Sequence, residues 1–231
     1  MDETRIIELR RSIFARNDAE ADAFRAARKA ENTFFVDIMA SPGAGKTTLL
    51  LALIAQLRAD SAASGDDAPS VAVIEADLES DVDALKIKEA VVASVELNTR
   101  GICHVEMGMV HQAFSAFGDA QYEYLFLENI GNLVCPADFD TGAHLRVMLL
   151  SVPEGWDKVM KYPPMFAAVD ALIVTKTDYL PLNPDFDRDA LRTQARILNP
   201  DIRYFETSAR TGDGIEELAA WLRSQREATL A

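Results

Sequence analysis

The chain is short of cysteine, of concentrated positive charge and of long apolar runs, and each shortage removes a class of protein. It has two cysteines in 231 residues, Cys103 and Cys135, too few for the disulfide scaffold of a small secreted domain. Lys and Arg total 23 against 37 Asp and Glu, a formal net charge of −14. No Lys- or Arg-rich run offsets that total, so neither nucleic acid nor a membrane is expected as a main partner. Charge or glycine interrupts every apolar stretch well before the roughly 18 residues that a membrane span needs. The opening Met1-Asp2-Glu3-Thr4-Arg5 lacks the apolar core of a signal peptide, and a cytoplasmic location is expected.

What is present is ordinary in bulk. Hydrophobic residues make up 49% and aromatic residues 8% of the chain, as in a soluble globular protein. The length suits one α/β domain with a substantial core and a short appendage. Ile6, Leu9, Ile13 and Phe14 stand at helical spacing and predict an N-terminal helical arm over residues 1–31. Its amphipathicity fades after Phe14, where an alanine-rich charged stretch follows. From 32 to 231 strands alternate with helices. Thr33 to Met39 reads as a buried strand, Lys46 to Leu57 as an apolar helix, and Ser61 to Ser70 as a polar, mobile loop. Further strands are read at Val71 to Glu75, Val95 to Asn98, Tyr124 to Ile130, Leu145 to Val152, Ala171 to Thr175 and Ile202 to Thr207. Helices are read at Asp81 to Ala93, His104 to Phe117, Arg188 to Leu198 and Ile215 to Arg226. The alternation predicts an α/β fold, a mostly parallel sheet with helices on both faces.

The run Ala40 to Thr47, ASPGAGKT, lies between a predicted strand and a predicted helix, the context a phosphate loop requires. Gly43 and Gly45, flanking Ala44, let backbone approach a phosphate where side chains would block it. The helix from Lys46 aims its N–H groups and positive dipole end at the same anion. Lys46 would reach the outer phosphates, and the Thr47 hydroxyl, with Thr48 behind it, would bind Mg²⁺. Such a loop works through local N–H groups, so the negative net charge does not oppose it. Ala40 replaces the first glycine of the usual pattern, at the loop's entry. Mg²⁺ also needs carboxylates. Asp77 and Glu128 should both lie at the carboxyl edge of the sheet, where ligands bind, although either could be a surface acid or a helix cap. Gly131 could give a backbone N–H to a γ-phosphate, or be a turn glycine. The fold class is therefore that of a P-loop NTPase.

Thr175-Lys176-Thr177-Asp178 follows the strand that contains Leu172 to Val174. Asp178 is acceptor-only and matches the two adjacent donors of guanine, whereas adenine offers a donor beside an acceptor. The Lys176 stem can pack along the base. The element resembles the Asn-Lys-x-Asp of GTPases with Thr175 in place of Asn, and a hydroxyl makes fewer bonds than an amide, so affinity could be lower. Glu206-Thr207-Ser208-Ala209 resembles the second guanine-contacting loop, which brings in Ser208 and Ala209.

Cys103-His104, with Cys135 downstream, offers thiolate and imidazole donors that suit Ni²⁺, Zn²⁺ or Cu⁺. A lone Cys-His pair does not define a site, and adjacent side chains tend to diverge, so one copy is not expected to close one. Two copies meeting at a dimer face could supply two of each ligand. The runs LNTRGICH, LENIGNLVCPADFD, VPEGWDKVMKYPPMF and MASPGAGKTTLL, with Asn17-Asp18 in the arm, closely resemble the hydrogenase nickel-incorporation GTPases, the HypB family. The resemblance covers essentially the whole chain. It implies a nucleotide-controlled homodimer holding nickel or zinc through Cys103 and His104, with Cys135 participating. It also implies other hydrogenase maturation factors and a hydrogenase large subunit as partners. The histidine-rich tract and N-terminal cysteine motif of some family members are absent, and Ser80 stands where the family usually has Thr. His111 and His144 match no ligand motif. Lys158 and Lys161 could reach across a dimer, or be solvated loop lysines.

The reading is a GTP-hydrolysing metallochaperone in which loss of the γ-phosphate frees the Asp77 and Glu128 segments that lead to the cysteine loops. Lys46 and Mg²⁺ would act by charge neutralisation. The rivals are an accessory GTPase for urease or a cobalamin enzyme, a non-catalytic nucleotide-binding module, and a P-loop kinase. Cys103-His104 without an intervening proline and Asn132 to Cys135 argue against the first pair. Asp178 and the lack of a lid-like arginine cluster argue against the kinase.

Overall fold

A computed structural model of the protein describes residues 3–77, 92–99 and 101–231, with side chains from residue 14 onward. Seven parallel strands form one sheet in the order β3-β2-β4-β1-β5-β6-β7. They are β1 (Phe34–Ala40), β2 (Val71–Asp77), β3 (Ala93–Asn98), β4 (Tyr124–Gly131), β5 (Leu145–Ser151), β6 (Ala171–Thr175) and β7 (Arg203–Glu206). The long helices are α1 (Glu3–Ala30), α2 (Lys46–Ser64), α3 (Met107–Ser115), α6 (Arg188–Leu198) and α7 (Ile215–Leu230). Two short ones, α4 (Lys158–Lys161) and α5 (Pro163–Ala167), follow β5. Among the described residues no helix is long and apolar enough to cross a membrane.

The near-continuous apolar run of β1 is what a central parallel strand needs, because both of its faces are covered. Phe34, Val36 and Ile38 point into a core closed by α2 and α7, with Leu50, Ile54 and Leu222. Phe35 and Met39 point to the opposite face, into two further cores. Asp37, on that second face, is completely buried and accepts hydrogen bonds from Asn129 Nδ2 at 3.0 Å and Thr141 Oγ1 at 2.8 Å. Burial pushes its carboxyl pKa up, against the pull of Arg146 and those two donors.

Several boundaries differ from the sequence reading. Helix α2 continues to Ser64 through what reads as loop, and stops where Gly65, in left-handed conformation, turns its N–H back to Ala62 O. Helix α3 begins at Met107 rather than His104, because Glu106 is extended. The helix read over Asp81 to Ala93 lies outside the described residues except for its end, where Ala93 opens β3 instead. The fading of α1 after Phe14 is not a loss of packing. Ala21, Phe24 and Arg28 are buried, Phe24 meets Phe35 edge-on at 5.7 Å, and the Arg28 guanidinium lies 3.9 Å above the Phe114 ring.

Candidate functional site

Parallel strands bring all their carboxyl ends to one edge, and the candidate nucleotide- and metal-binding residues gather along it, while Ser80 lies outside the described residues. At the end of β1 the chain turns through Gly43 (φ 76°) and Gly45 (φ 96°) into α2. Lys46 lines a cavity together with Gly43, Glu75, Asp77, Glu128 and Gly131. Thr47 Oγ1 donates to Glu128 Oε1 at 2.8 Å in buried surroundings, so the hydroxyl and one carboxylate expected to share a metal already meet. A Cβ on Gly131 would stand 3.0 Å from Pro42 N and 3.1 Å from its Cα. That tight approach lets the end of β4 pack against the loop.

Glu75 was not singled out from the sequence, yet it stands in register with Glu128 on one side and Glu96 on the other. Carboxylates placed directly opposite one another across strands repel, so this row favours a cation beside it. The donor set fits Mg²⁺, a hard cation that takes oxygen ligands. A Glu inside the strand VIEAD was the available signal: a charge in an otherwise apolar buried run.

On the other side of the loop, β6 ends in the predicted base-reading element. Thr175 Oγ1 donates to Ala44 O at 2.7 Å and Lys176 Nζ donates to Gly43 O at 2.7 Å. The hydroxyl that replaces Asn therefore fastens β6 to the phosphate loop. Lys176 adopts φ 58°, a left-handed conformation that is uncommon outside glycine. Asp178 Oδ1 accepts from Ser208 Oγ at 2.8 Å, and Arg210 lies 3.3 Å from Oδ2. Thr48, Lys176, Asp178, Tyr179, Ser208 and Ala209 line one cleft. The residues read as two separate guanine-contacting loops thus form a single wall.

The third group sits where the chain leaves β3 and β4. The Cys103 thiol points at Cys135 Sγ, 2.7 Å away, and Cys103 Sγ is 3.9 Å from His104 Nδ1. Cys135 beside it, chiefly through that hydrogen bond, pushes the Cys103 thiol pKa up. His104 Nε2 lies 3.1 Å from Glu106 Oε1, and its ring stacks on Phe139 at 3.7 Å between centroids. Asn132 Nδ2 donates to Cys103 O at 3.0 Å while its Oδ1 accepts from Val134 N at 2.9 Å. One chain thus pairs two thiols with an imidazole beside them, and Cys103 is exposed. Among the described residues, however, no group of three or more His, Cys, Asp or Glu is set to hold a metal ion, as the divergence of adjacent side chains led one to expect. Ile102 and Val134 are exposed next to the cysteines. Glu106, Phe139 and the Asn132 carbonyl bridge were not legible in advance, because their partners are fixed only by the fold.

The two ligand regions are physically joined. Thr99 N donates to Asp77 O at 3.1 Å at the exit of β3, and Asn132 follows directly on Gly131 at the end of β4. Of the remaining residues, His111 packs edge-on against Phe24 at 5.1 Å. Lys161 pairs with Asp157 at 2.5 Å, and Lys158 lies over the Tyr162 ring.

Comparison with known proteins points the same way. A family model described as "CobW/HypB/UreG, nucleotide-binding domain" matches residues 35–206. The chain is 42% identical to the hydrogenase maturation factor HypB of Azotobacter chroococcum mcd 1, over 100% of this chain and 72% of that protein. It is 37% identical to the Escherichia coli K12 protein of the same name, over 98% and 75%. The crystal structure of HypB from Helicobacter pylori in complex with nickel superposes with a TM-score of 0.83 at 30% identity, covering 93% of this chain and 97% of that one.

Proposed function

We propose, on the premise that this chain belongs to the CobW/HypB/UreG family and within it to the HypB hydrogenase maturation factors, that it binds and slowly hydrolyses GTP and uses that cycle to capture and release nickel. The observation that carries this reading is that Cys103 meets Cys135, with His104 beside it, on the loops that leave β3, where Thr99 N bonds Asp77 O, and β4, the strand that carries Glu128. Nickel is the cargo, and thiolate with imidazole suits it, as it does zinc. Asp178 would read the two guanine donors and Lys176 the base face. The backbone of Gly43 to Thr48 would hold the phosphates, with Lys46 on their outer oxygens and Gly131 N–H near the last of them. Thr47, Asp77 and Glu128 would hold Mg²⁺, whose contribution is charge neutralisation at those oxygens. Among the described residues no arginine lines the phosphate cavity, which motivates a low intrinsic rate.

The open side of the thiol pair, bordered by exposed Ile102 and Val134, fits a homodimer that shares the metal. A hydrogenase large subunit and other maturation factors are the proposed clients and partners. Two reduced cysteines suit action in the cytoplasm. The test is paired. Purified protein should release phosphate from GTP and not ATP, with release abolished in Lys46→Ala; equal use of ATP would remove the guanine assignment. Ni²⁺ should produce a thiolate charge-transfer band, and if Cys103→Ala leaves both band and stoichiometry unchanged, the metal is held elsewhere.

A further inference from the structure

The two loops that carry the thiols are separated by 32 positions, and something must fix their spacing. Asn17 of α1 is 7% exposed and touches both. Its Oδ1 accepts from Met107 N at 3.0 Å, where the Cys103-His104 loop enters α3. Its Nδ2 donates to Asp140 O at 2.8 Å, at the end of the Cys135 segment. Met107 N can only donate and Asp140 O can only accept, so the amide has one possible orientation. No other side chain of this size presents a donor and an acceptor on one carbon. Aspartate lacks the donor and leucine lacks both.

The neighbours of Asn17 on α1 act on the same loops. Phe14, one turn earlier, packs at 5.2 Å on Phe139, the ring that stacks on His104. Arg25, about two turns later, binds both Asp140 carboxylate oxygens at 2.7 Å and Ala143 O at 2.9 Å. One face of α1 is therefore a template laid across both thiol loops.

We infer that Asn17 is a positioning residue for the nickel site: its amide straps the Cys103-His104 loop to the Cys135 loop and keeps the two thiols beside each other. The inference rests on the nickel reading given above, but the strap has a readout that needs no metal. In metal-free full-length protein equilibrated with glutathione and its disulfide, a Cys103–Cys135 bond forms as the two thiols give up two protons and two electrons. Glutathione disulfide takes these and becomes two thiols. The equilibrium measures the effective concentration of one thiol at the other.

Asn17→Ala and Asn17→Asp should each lower that effective concentration by about 10-fold or more. Each should weaken Ni²⁺ binding by roughly 10- to 100-fold, the usual consequence of losing a residue that orients metal ligands. GTP affinity should be unchanged, since Asn17 touches neither nucleotide cleft. An alanine variant that fails to bind GTP is misfolded, and the near-isosteric aspartate variant then decides. If both variants keep the parent thiol equilibrium, the strap does not exist. If the equilibrium falls while Ni²⁺ affinity holds, Asn17 shapes the loops without positioning the metal, and the inference is overturned. Failure of the nickel reading is separate: it appears as Cys103→Ala leaving Ni²⁺ binding intact, whatever the Asn17 variants do.

Discussion

At the scale of single residues, three histidines in one chain do three different things. His104 stands among the sulfurs, and His111 packs on an aromatic ring. His144 is a structural pin: its Nδ1 accepts from Phe35 N at 3.0 Å and its Nε2 faces Arg25 O at 3.1 Å. Both contacts are satisfied by the neutral ring alone, since a proton on Nδ1 would confront an N–H. Burial accordingly pulls its pKa below the usual histidine value, with Arg25, Lys29 and Arg28 adding to the depression and the Arg25 carbonyl opposing it. Because the folded pKa lies below the unfolded one, the unfolded chain binds the proton first. The contribution of His144 is complete above about pH 6.5 and is lost as pH falls through the folded value. His144→Gln can keep an acceptor and a donor without titrating. Urea unfolding at pH 7.5 and 5.5 should show the parent losing stability with a slope of up to about 1.4 kcal/mol per pH unit from this group. The glutamine variant should lose less, and an identical pH dependence in the two proteins would remove His144 as the cause.

At the scale of elements, α1 carries more than its sequence advertises. Its second half buries Ala21, Phe24 and Arg28 against β1 and α3. Phe24 touches Phe35, His111 and Phe114 edge-on. Phe24→Ala should therefore cost about 3–5 kcal/mol of unfolding free energy, measured by denaturant titration. A loss below about 1 kcal/mol would mean that the helix peels away freely. The sequence hides this docking because two of the helix's four buried positions are Asn17 and Arg28, and hydropathy counts an arginine as polar even when its guanidinium lies on aromatic rings. The phosphate loop was legible for the opposite reason: its chemistry is local, with glycines, Lys46 and Thr47 within a few positions. Thr175 read as a weakening departure, yet its hydroxyl bonds Ala44 O; only the fold could reveal that partner, which is 131 positions away in the chain. Glu75 and Phe139 escaped for the same reason, and Asn17 was noticed only through the resemblance, since their meaning lies in contacts across neighbouring strands or distant loops.

At the scale of the whole molecule, the charge of −14 bears on how two copies could share a metal. Like-charged copies repel over about 10 Å at 0.1 M salt, so association must be driven locally, by the exposed Ile102 and Val134 and by a cation bridging thiols. GTP should favour the dimer by ordering the segments of Asp77 and Glu128, and nickel should favour it by bridging. Linkage then demands reciprocity: if GTP tightens nickel binding, nickel tightens GTP binding by the same factor. A coupling of about 1–3 kcal/mol would appear as a roughly 5- to 150-fold shift in each affinity. Sedimentation velocity with neither ligand, each alone and both together should show dimer rising in that order. Added salt should strengthen it, because screening relieves the repulsion between copies, whereas a dimer held by ion pairs would weaken. A chain that stays monomeric with both ligands bound, its metal still lost in Cys103→Ala, would place the complete site within one copy. The open side of the thiol pair would then face a client protein rather than a twin.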